Sequence, residues 1–269
     1  MTRYTVLLFT ALFFLAACND GGKSNGNDPQ TPDNSGSPVQ ALSYSIAKQY
    51  PHDVTSFTQG LVIYKGKLYE GTGNKGESKL MEVDLNTGKA LKSINIPDKY
   101  FGEGIAVLND TVYQLTWQEK VVFVYTLPDF KKVKEFPIGT EGWGITTDGK
   151  DLIVSDGTSN LYFYEPSTFD LLRTQSVRFN GELAFKLNEL EYINGYVYAN
   201  QWQAPYIYKI DPSNGSIVGQ MNLQDIWNNV RKDAPNADVP NGIAYDADTK
   251  KTYITGKWWP SLYEIEFSH

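Results

Sequence analysis

One carboxylate and one lysine stand apart in this sequence, because each sits among aromatic residues where ordinary turns carry Gly, Asn, Asp or Ser. Glu103 lies in Tyr100-Phe-Gly-Glu-Gly104, beside Phe101, and Lys257 lies in Thr255-Gly-Lys-Trp-Trp-Pro260. A carboxyl group taken out of water is pushed up in pKa toward neutrality, where it can accept a proton and return it. A buried ammonium, or a side-chain amide such as Asn188 or Gln59, can stabilise negative charge that develops on a reacting oxygen. Phe57, Phe101, Trp117, Trp143 and Trp202 supply flat apolar surface able to clamp a small flexible group. Taken singly, each has a plainer explanation: a lone carboxylate is usually solvated, and a tryptophan in an all-β domain is as often core as site. The chemistry therefore depends on whether the elements that carry these residues converge.

Other chemistries lack their residues. Cys18 is the only cysteine, and His52 and His269 are the only histidines. That removes a cysteine nucleophile, a thiolate zinc site and any serine–histidine arrangement built on a histidine cluster. A net charge of −7 gives no basic face for nucleic acid, so none is expected as a partner.

The elements read as short strands. Lys67-Leu-Tyr-Glu70, Val121-Val-Phe-Val-Tyr125, Asn160-Leu-Tyr-Phe-Tyr164 and Tyr206-Ile-Tyr-Lys-Ile210 are rich in aromatic and β-branched residues and are bounded by turn formers. Only Leu223 to Lys232 predicts a helix, with Leu223, Ile226, Trp227 and Val230 on one face. The pattern also repeats. Gly60-Leu61, Gly104-Ile105, Gly144-Ile145 and Gly242-Ile243 open four units, and Glu189-Leu190 fills the double gap. The turns at Asp84, Thr126, Glu165 and Asp211 recur at 42, 39 and 46 residues. A repeat of about forty residues with four short strands is a propeller blade. Five units fit, and the last supplies only three strands before the chain stops. Ala41 to Gln49 is expected to complete it as the outer strand, closing the ring and covering an edge. Strand starts (Phe57, Gln59, Phe101, Glu103, Trp143, Asn188, Glu189, Asn241) and second-strand ends (Trp117, Asp156, Trp202, Lys257, Trp258) would then meet at one mouth of the central channel.

Ahead of the domain, residues 1–17 read as a lipoprotein signal: Arg3, an apolar run from Val6 to Leu15, then Leu15-Ala-Ala-Cys18, which marks Cys18 for lipidation. Residues 18–40 read as a tether rich in Gly, Ser, Asn, Asp and Pro, and 41–269 as the propeller. The expected setting is an exported, lipid-anchored protein of the cell envelope, a monomer that touches membrane only through its anchor.

Pro51-His-Asp-Val-Thr-Ser-Phe-Thr-Gln-Gly60, Tyr100-Phe-Gly-Glu-Gly104, Glu141-Gly-Trp-Gly144, Ser155-Asp-Gly-Thr158, Leu187-Asn-Glu-Leu-Glu-Tyr-Ile-Asn-Gly195 and Thr255-Gly-Lys-Trp-Trp-Pro260 resemble, in order and across every blade, the plant and bacterial glutamine cyclotransferases. The resemblance implies a five-bladed propeller that turns N-terminal glutamine of peptides into pyroglutamate without a catalytic metal, a structural calcium ion in the channel being compatible with it. By similarity Glu103 falls on the family's catalytic carboxylate, while Phe57, Gln59, Phe101, Trp117, Trp143, Asn188, Trp202 and Lys257 fall on its pocket. Trp258-Trp259 departs from the family pattern and is expected to affect the rim. Two other readings stay open on the residues alone. One is a binding or scaffolding propeller without chemistry, against which stand one carboxylate and one lysine in an aromatic cup. The other is a metal-dependent lactonase-like propeller drawing on Glu189, Asn241 and Asp156.

Overall fold

A computed structural model describes residues 38–268; the apolar leader, Cys18, most of the tether and His269 lie outside the described residues. The strands assemble into five antiparallel blades, each wound from the channel outward. Blade 1 runs through Thr58–Tyr64, Lys67–Thr72, Lys79–Val83 and Ala90–Asn95. Blade 2 runs through Gly102–Leu108, Thr111–Thr116, Val121–Thr126 and Lys131–Pro137. Blade 3 comprises Ile145–Thr147, Leu152–Ser155, Asn160–Tyr164 and Leu171–Ser176; blade 4 comprises Leu187–Ile193, Tyr196–Gln201, Tyr206–Ile210 and Ile217–Asn222. Blade 5 contributes Pro240–Asp246, Lys251–Gly256 and Ser261–Phe267.

The fourth strand of blade 5 comes from the other end of the chain. Tyr44–Pro51 pairs antiparallel with Ser261–Phe267, from Tyr44 opposite Phe267 to Pro51 opposite Ser261. The expected segment Ala41 to Gln49 is thus divided. Gln40–Ala41 adds in parallel to the outer edge of blade 4, opposite Gly219 and Gln220, while Val39 packs on the core between blades 3 and 4. The physical reason is the edge itself: both outer strands would otherwise present unpaired backbone groups, and one passing segment covers part of each.

Five apolar clusters hold the ring, one for each blade-to-blade face. Leu80, Ile105 and Phe123 join blades 1 and 2; Leu115, Ile145 and Leu152 join 2 and 3; Ile153, Leu190 and Val197 join 3 and 4. Ile207, Met221, Ile243 and Ile254 join 4 and 5, and Tyr50, Leu61, Met81 and Tyr253 close the ring between 5 and 1. The alternation along each strand puts one set of side chains toward each neighbouring blade, so both blade faces are apolar. The helix forms as Gln224–Asp233, one residue later than its sequence pattern, with Leu223 at its N-cap position and Ile226 and Val230 buried on the blade 4–5 cluster.

Four of the five innermost strands start with a slip in their ladder, and this irregularity helps to build the site. The ladder slips by one residue between Thr58 and Gly60, between Gly102 and Ile105, between Leu187 and Leu190, and between Pro240 and Ile243. A β-bulge adds a residue and re-aims its side chain. In blade 3, Ser155 makes backbone hydrogen bonds with both Trp143 and Gly144, so the five blades share a pair of positions: Gln59-Gly60, Glu103-Gly104, Trp143-Gly144, Asn188-Glu189 and Asn241-Gly242.

Candidate active site

The second member of each pair lies against the innermost strand of the next blade. At Gly144 a side chain would run into the Asn188 carbonyl oxygen and the Glu189 backbone of the next blade, so the close approach of adjacent strands requires glycine there. Blade 4 carries Glu189 instead. Its carboxylate does not enter the mouth; Oε1 accepts from the Leu61 amide at 3.2 Å and Oε2 from the Ile243 amide at 2.9 Å. Burial, reinforced by nearby Glu191, pushes Glu189 well above the usual carboxylate range. Glu189 is therefore a tie across the axis between blades 1, 4 and 5, and Glu103 has its positional counterpart in Asn188.

In four of the five blades the first member faces the mouth. Gln59, Glu103, Trp143 and Asn188 line one cavity of about 260 Å³ with Phe57, Phe101, Trp117, Trp202, Lys257 and Asp238. All nine residues singled out for catalysis or binding by the sequence are thus brought together. Asn241 stops short of the cavity and supports it, its Nδ2 donating to the Thr58 carbonyl at 2.9 Å and to Gln59 Oε1 at 3.1 Å. With Gln59 Oε1 so engaged, its amide nitrogen is left to donate to a ligand. Asp156 belongs to a turn, where it accepts from the Thr158 amide at 3.0 Å and the Tyr162 hydroxyl at 2.9 Å.

The walls form a chain of edge-on aromatic contacts. Trp258 meets Phe57 at 4.7 Å between ring centres, Phe57 meets Phe101 at 6.1 Å, and Phe101 meets Trp117 at 5.6 Å. Across the cup, Trp143 and Trp202 meet at 5.4 Å with perpendicular rings. Gly157, at φ +78°, leaves room for the Trp143 indole to lie against the backbone where a Cβ would strike it. Trp258 is at the rim as expected, but Trp259 is not. It is fully buried against blade 5, with Nε1 donating to the Asp238 carbonyl at 2.9 Å.

The floor is polar and buried. Glu103 is 4% exposed and Lys257 3%. Among the described residues, Oε2 of Glu103 and Oδ1 of Asn188 have no hydrogen-bond partner. Burial pushes Glu103 well above the usual carboxylate range; Lys257 pulls it back, and the Glu141 and Glu119 carboxylates push it further up. Burial also pushes the Lys257 ammonium down, against the attraction of Glu103 and Asp238. Glu103 is thus moved toward neutrality, where a carboxyl can accept a proton and return it.

Two residues of the site were missed in the sequence. Asp238 enters because the pairing of blade 5 continues past its last ladder residues: its amide donates to the Lys257 carbonyl at 2.9 Å, and the Lys257 amide donates to the Val239 carbonyl at 3.1 Å. No local pattern marks that. Glu141 had a signal, its place in Glu141-Gly-Trp-Gly144, but no role; its Oε2 accepts from Trp117 Nε1 at 2.7 Å and from Trp143 Nε1 at 3.1 Å.

Comparison with known proteins finds relatives of one family. The family model described as glutamine cyclotransferase matches residues 16–267. The chain is 42% identical over 225 residues to a glutaminyl-peptide cyclotransferase of Arabidopsis thaliana, covering 82% of this chain and 70% of that protein. It superposes on the crystal structure of Myxococcus xanthus glutaminyl cyclase with a TM-score of 0.81 at 32% identity, covering 86% of this chain and 98% of that one.

Proposed function

The chain belongs to the glutamine cyclotransferase family, and from that premise we propose how its cup performs the conversion of a peptide's N-terminal glutamine to pyroglutamate. The observation that carries the reading is Glu103: a buried carboxyl with one unpartnered oxygen, at the bottom of an aromatic cup.

The reaction is intramolecular, so holding the glutamine side chain curled toward its own amine is a large part of the task. Phe57, Phe101, Trp117, Trp143 and Trp202 clamp the methylenes in a cavity of about 260 Å³. The unprotonated α-amine attacks the side-chain amide carbon, forming the ring C–N bond and placing a pair of electrons on the former carbonyl oxygen. Lys257 Nζ and the Gln59 amide nitrogen are the donors for that oxyanion. Glu103, entering as carboxylate, takes a proton from the attacking nitrogen and delivers it to the departing one; the old C–N bond breaks, the carbonyl reforms, and ammonia leaves. Asn188, through its unpartnered Oδ1, accepts a hydrogen bond from one of the two nitrogens and aligns it. Residues beyond the first lie outside the cup, which fits substrates of varied length.

The sequence argues that the enzyme needs no metal and that Cys18 anchors it, as a monomer, at the cell envelope. Both belong to this proposal. The test is incubation with glutaminyl peptides, with and without a chelator, while following ammonia and the matching mass loss. Turnover unchanged by chelator supports the scheme; turnover lost in chelator and restored by zinc overturns its metal-free step. Radiolabelled palmitate incorporation lost in Cys18→Ala checks the anchor.

A further inference from the structure

Two walls of the cup, from neighbouring blades, converge on one carboxylate oxygen. Oε2 of Glu141 accepts from the Trp117 indole at 2.7 Å and from the Trp143 indole at 3.1 Å, and Oε1 accepts from Gln118 Nε2 at 3.4 Å. Trp117 belongs to one aromatic chain, Trp258–Phe57–Phe101–Trp117, and Trp143 to the other, Trp143–Trp202. Glu141 is the only link between the two chains that these contacts provide. We propose that Glu141 is a positioning residue: it fixes the two tryptophan walls at one separation, sets the width of the cup for a glutamine side chain, and holds an uncompensated negative charge near Glu103. The inference rests on the cyclisation reading above.

Three arguments support it. An indole N–H has a single donor and no acceptor, so both tryptophans spend their only polar valence on this carboxylate, and each plane is thereby fixed about its long axis. Hydrogen bonds to a charged acceptor are about twice as strong as neutral ones. The charge is also left free to act at a distance. The nearby Glu119 is paired with Lys75 at 2.7 Å, whereas the donors that hold Glu141 among the described residues are neutral. Glu141 stands ahead of Glu119 among the acidic groups that push Glu103 upward.

Glu141→Ala and Glu141→Gln in the full chain separate the two roles. Glu141→Ala loses acceptor and charge: KM for a glutaminyl peptide rises about tenfold or more, because both walls lose a charge-assisted hydrogen bond, and the near-ultraviolet dichroism of the tryptophans changes. Glu141→Gln keeps an oxygen for the indoles and recovers most of the KM, but it lacks the charge. Its kcat then reaches the plateau at lower pH, with the acidic limb displaced by about half a unit. A KM within twofold of wild type for Glu141→Ala, or an undisplaced limb in Glu141→Gln, overturns the proposal. Should Glu141→Ala fail to fold, the limb of Glu141→Gln still decides. Wild-type turnover in the same assay tests the cyclisation reading separately, since its absence would condemn that reading and not the wall geometry.

Discussion

The Nζ of Lys257 lies 4.4 Å from the centre of the Phe57 ring. The two residues come from blade 5 and blade 1, so this contact spans the seam where the ring closes. An ammonium over an aromatic face is stabilised without a carboxylate partner, which keeps Lys257 in place while leaving its N–H groups for a ligand.

Lys257→Ala is therefore expected to lower kcat by about 10²–10³-fold, the usual cost of one oxyanion donor. Phe57→Leu should act mainly on KM, because it removes wall area and the ring face while the lysine remains. Steady-state kinetics of both variants check this; a kcat within tenfold of wild type for Lys257→Ala removes the lysine from the chemical step.

Glu103→Gln is expected to lower kcat by at least about 10²-fold with little change in KM. The same variant makes a pH-dependent stability prediction. Glu103 has a folded pKa above its ordinary 4.5. Its contribution to stability is thus fully present below that ordinary value and lost as pH rises through the folded one. Glutamine does not titrate. The melting temperature of Glu103→Gln relative to wild type should accordingly be near zero difference at about pH 4 and increasingly positive toward about pH 8. Calorimetry across that range decides it; a difference that falls with pH contradicts the burial of an ionisable Glu103.

His52 and Glu70 give the opposite kind of test, since this pair is held together by attraction. His52 Nε2 lies 3.1 Å from Glu70 Oε1, and Nδ1 lies 2.7 Å from the Trp259 carbonyl. Burial alone pushes the imidazole down, but Glu70 and that carbonyl outweigh it, and the net direction is up from 6.5. The stabilisation is present in full below 6.5 and is lost as pH rises through the folded value. His52→Ala should cost about 3–5 kcal/mol at acid pH, the cost of stranding a buried charge, and less at alkaline pH. Chemical denaturation at the two extremes measures it, and an equal loss at both would show that the histidine is neutral throughout.

Gly144→Ala should damage the site without touching a substrate-facing side chain. A Cβ there meets the Asn188 carbonyl, and that oxygen also accepts from Ser155 Oγ at 2.7 Å. The blade 3–4 seam must open, at about 1–3 kcal/mol, and Asn188 moves with it. We expect a lower melting temperature together with a lower kcat/KM. An unchanged enzyme would mean that the two strands have slack at the axis.

Sequence alone determined what depends on short-range periodicity. Alternating strands, turns at a spacing near forty residues, a three-strand last unit and aromatic residues at strand starts are local properties. They suffice for five blades and for bringing Glu103, Lys257, Asn188, Gln59 and five aromatic side chains to one mouth. The tertiary structure decided which way adjacent residues point. Asn188 and Glu189 are neighbours with similar spacing credentials, yet the one-residue slip sends the amide into the cup and the carboxylate to backbone amides of two other blades. Period-two reasoning assigns side chains by parity, and a bulge breaks parity at the residues that matter. Asp238 reaches the cup through backbone pairing beyond the end of a ladder, and Glu141 acquires its role from Trp117, 24 residues away on another blade. Hydrogen bonds of that kind depend on the distance between blades, which the packing of the ring fixes and no local pattern of residues encodes.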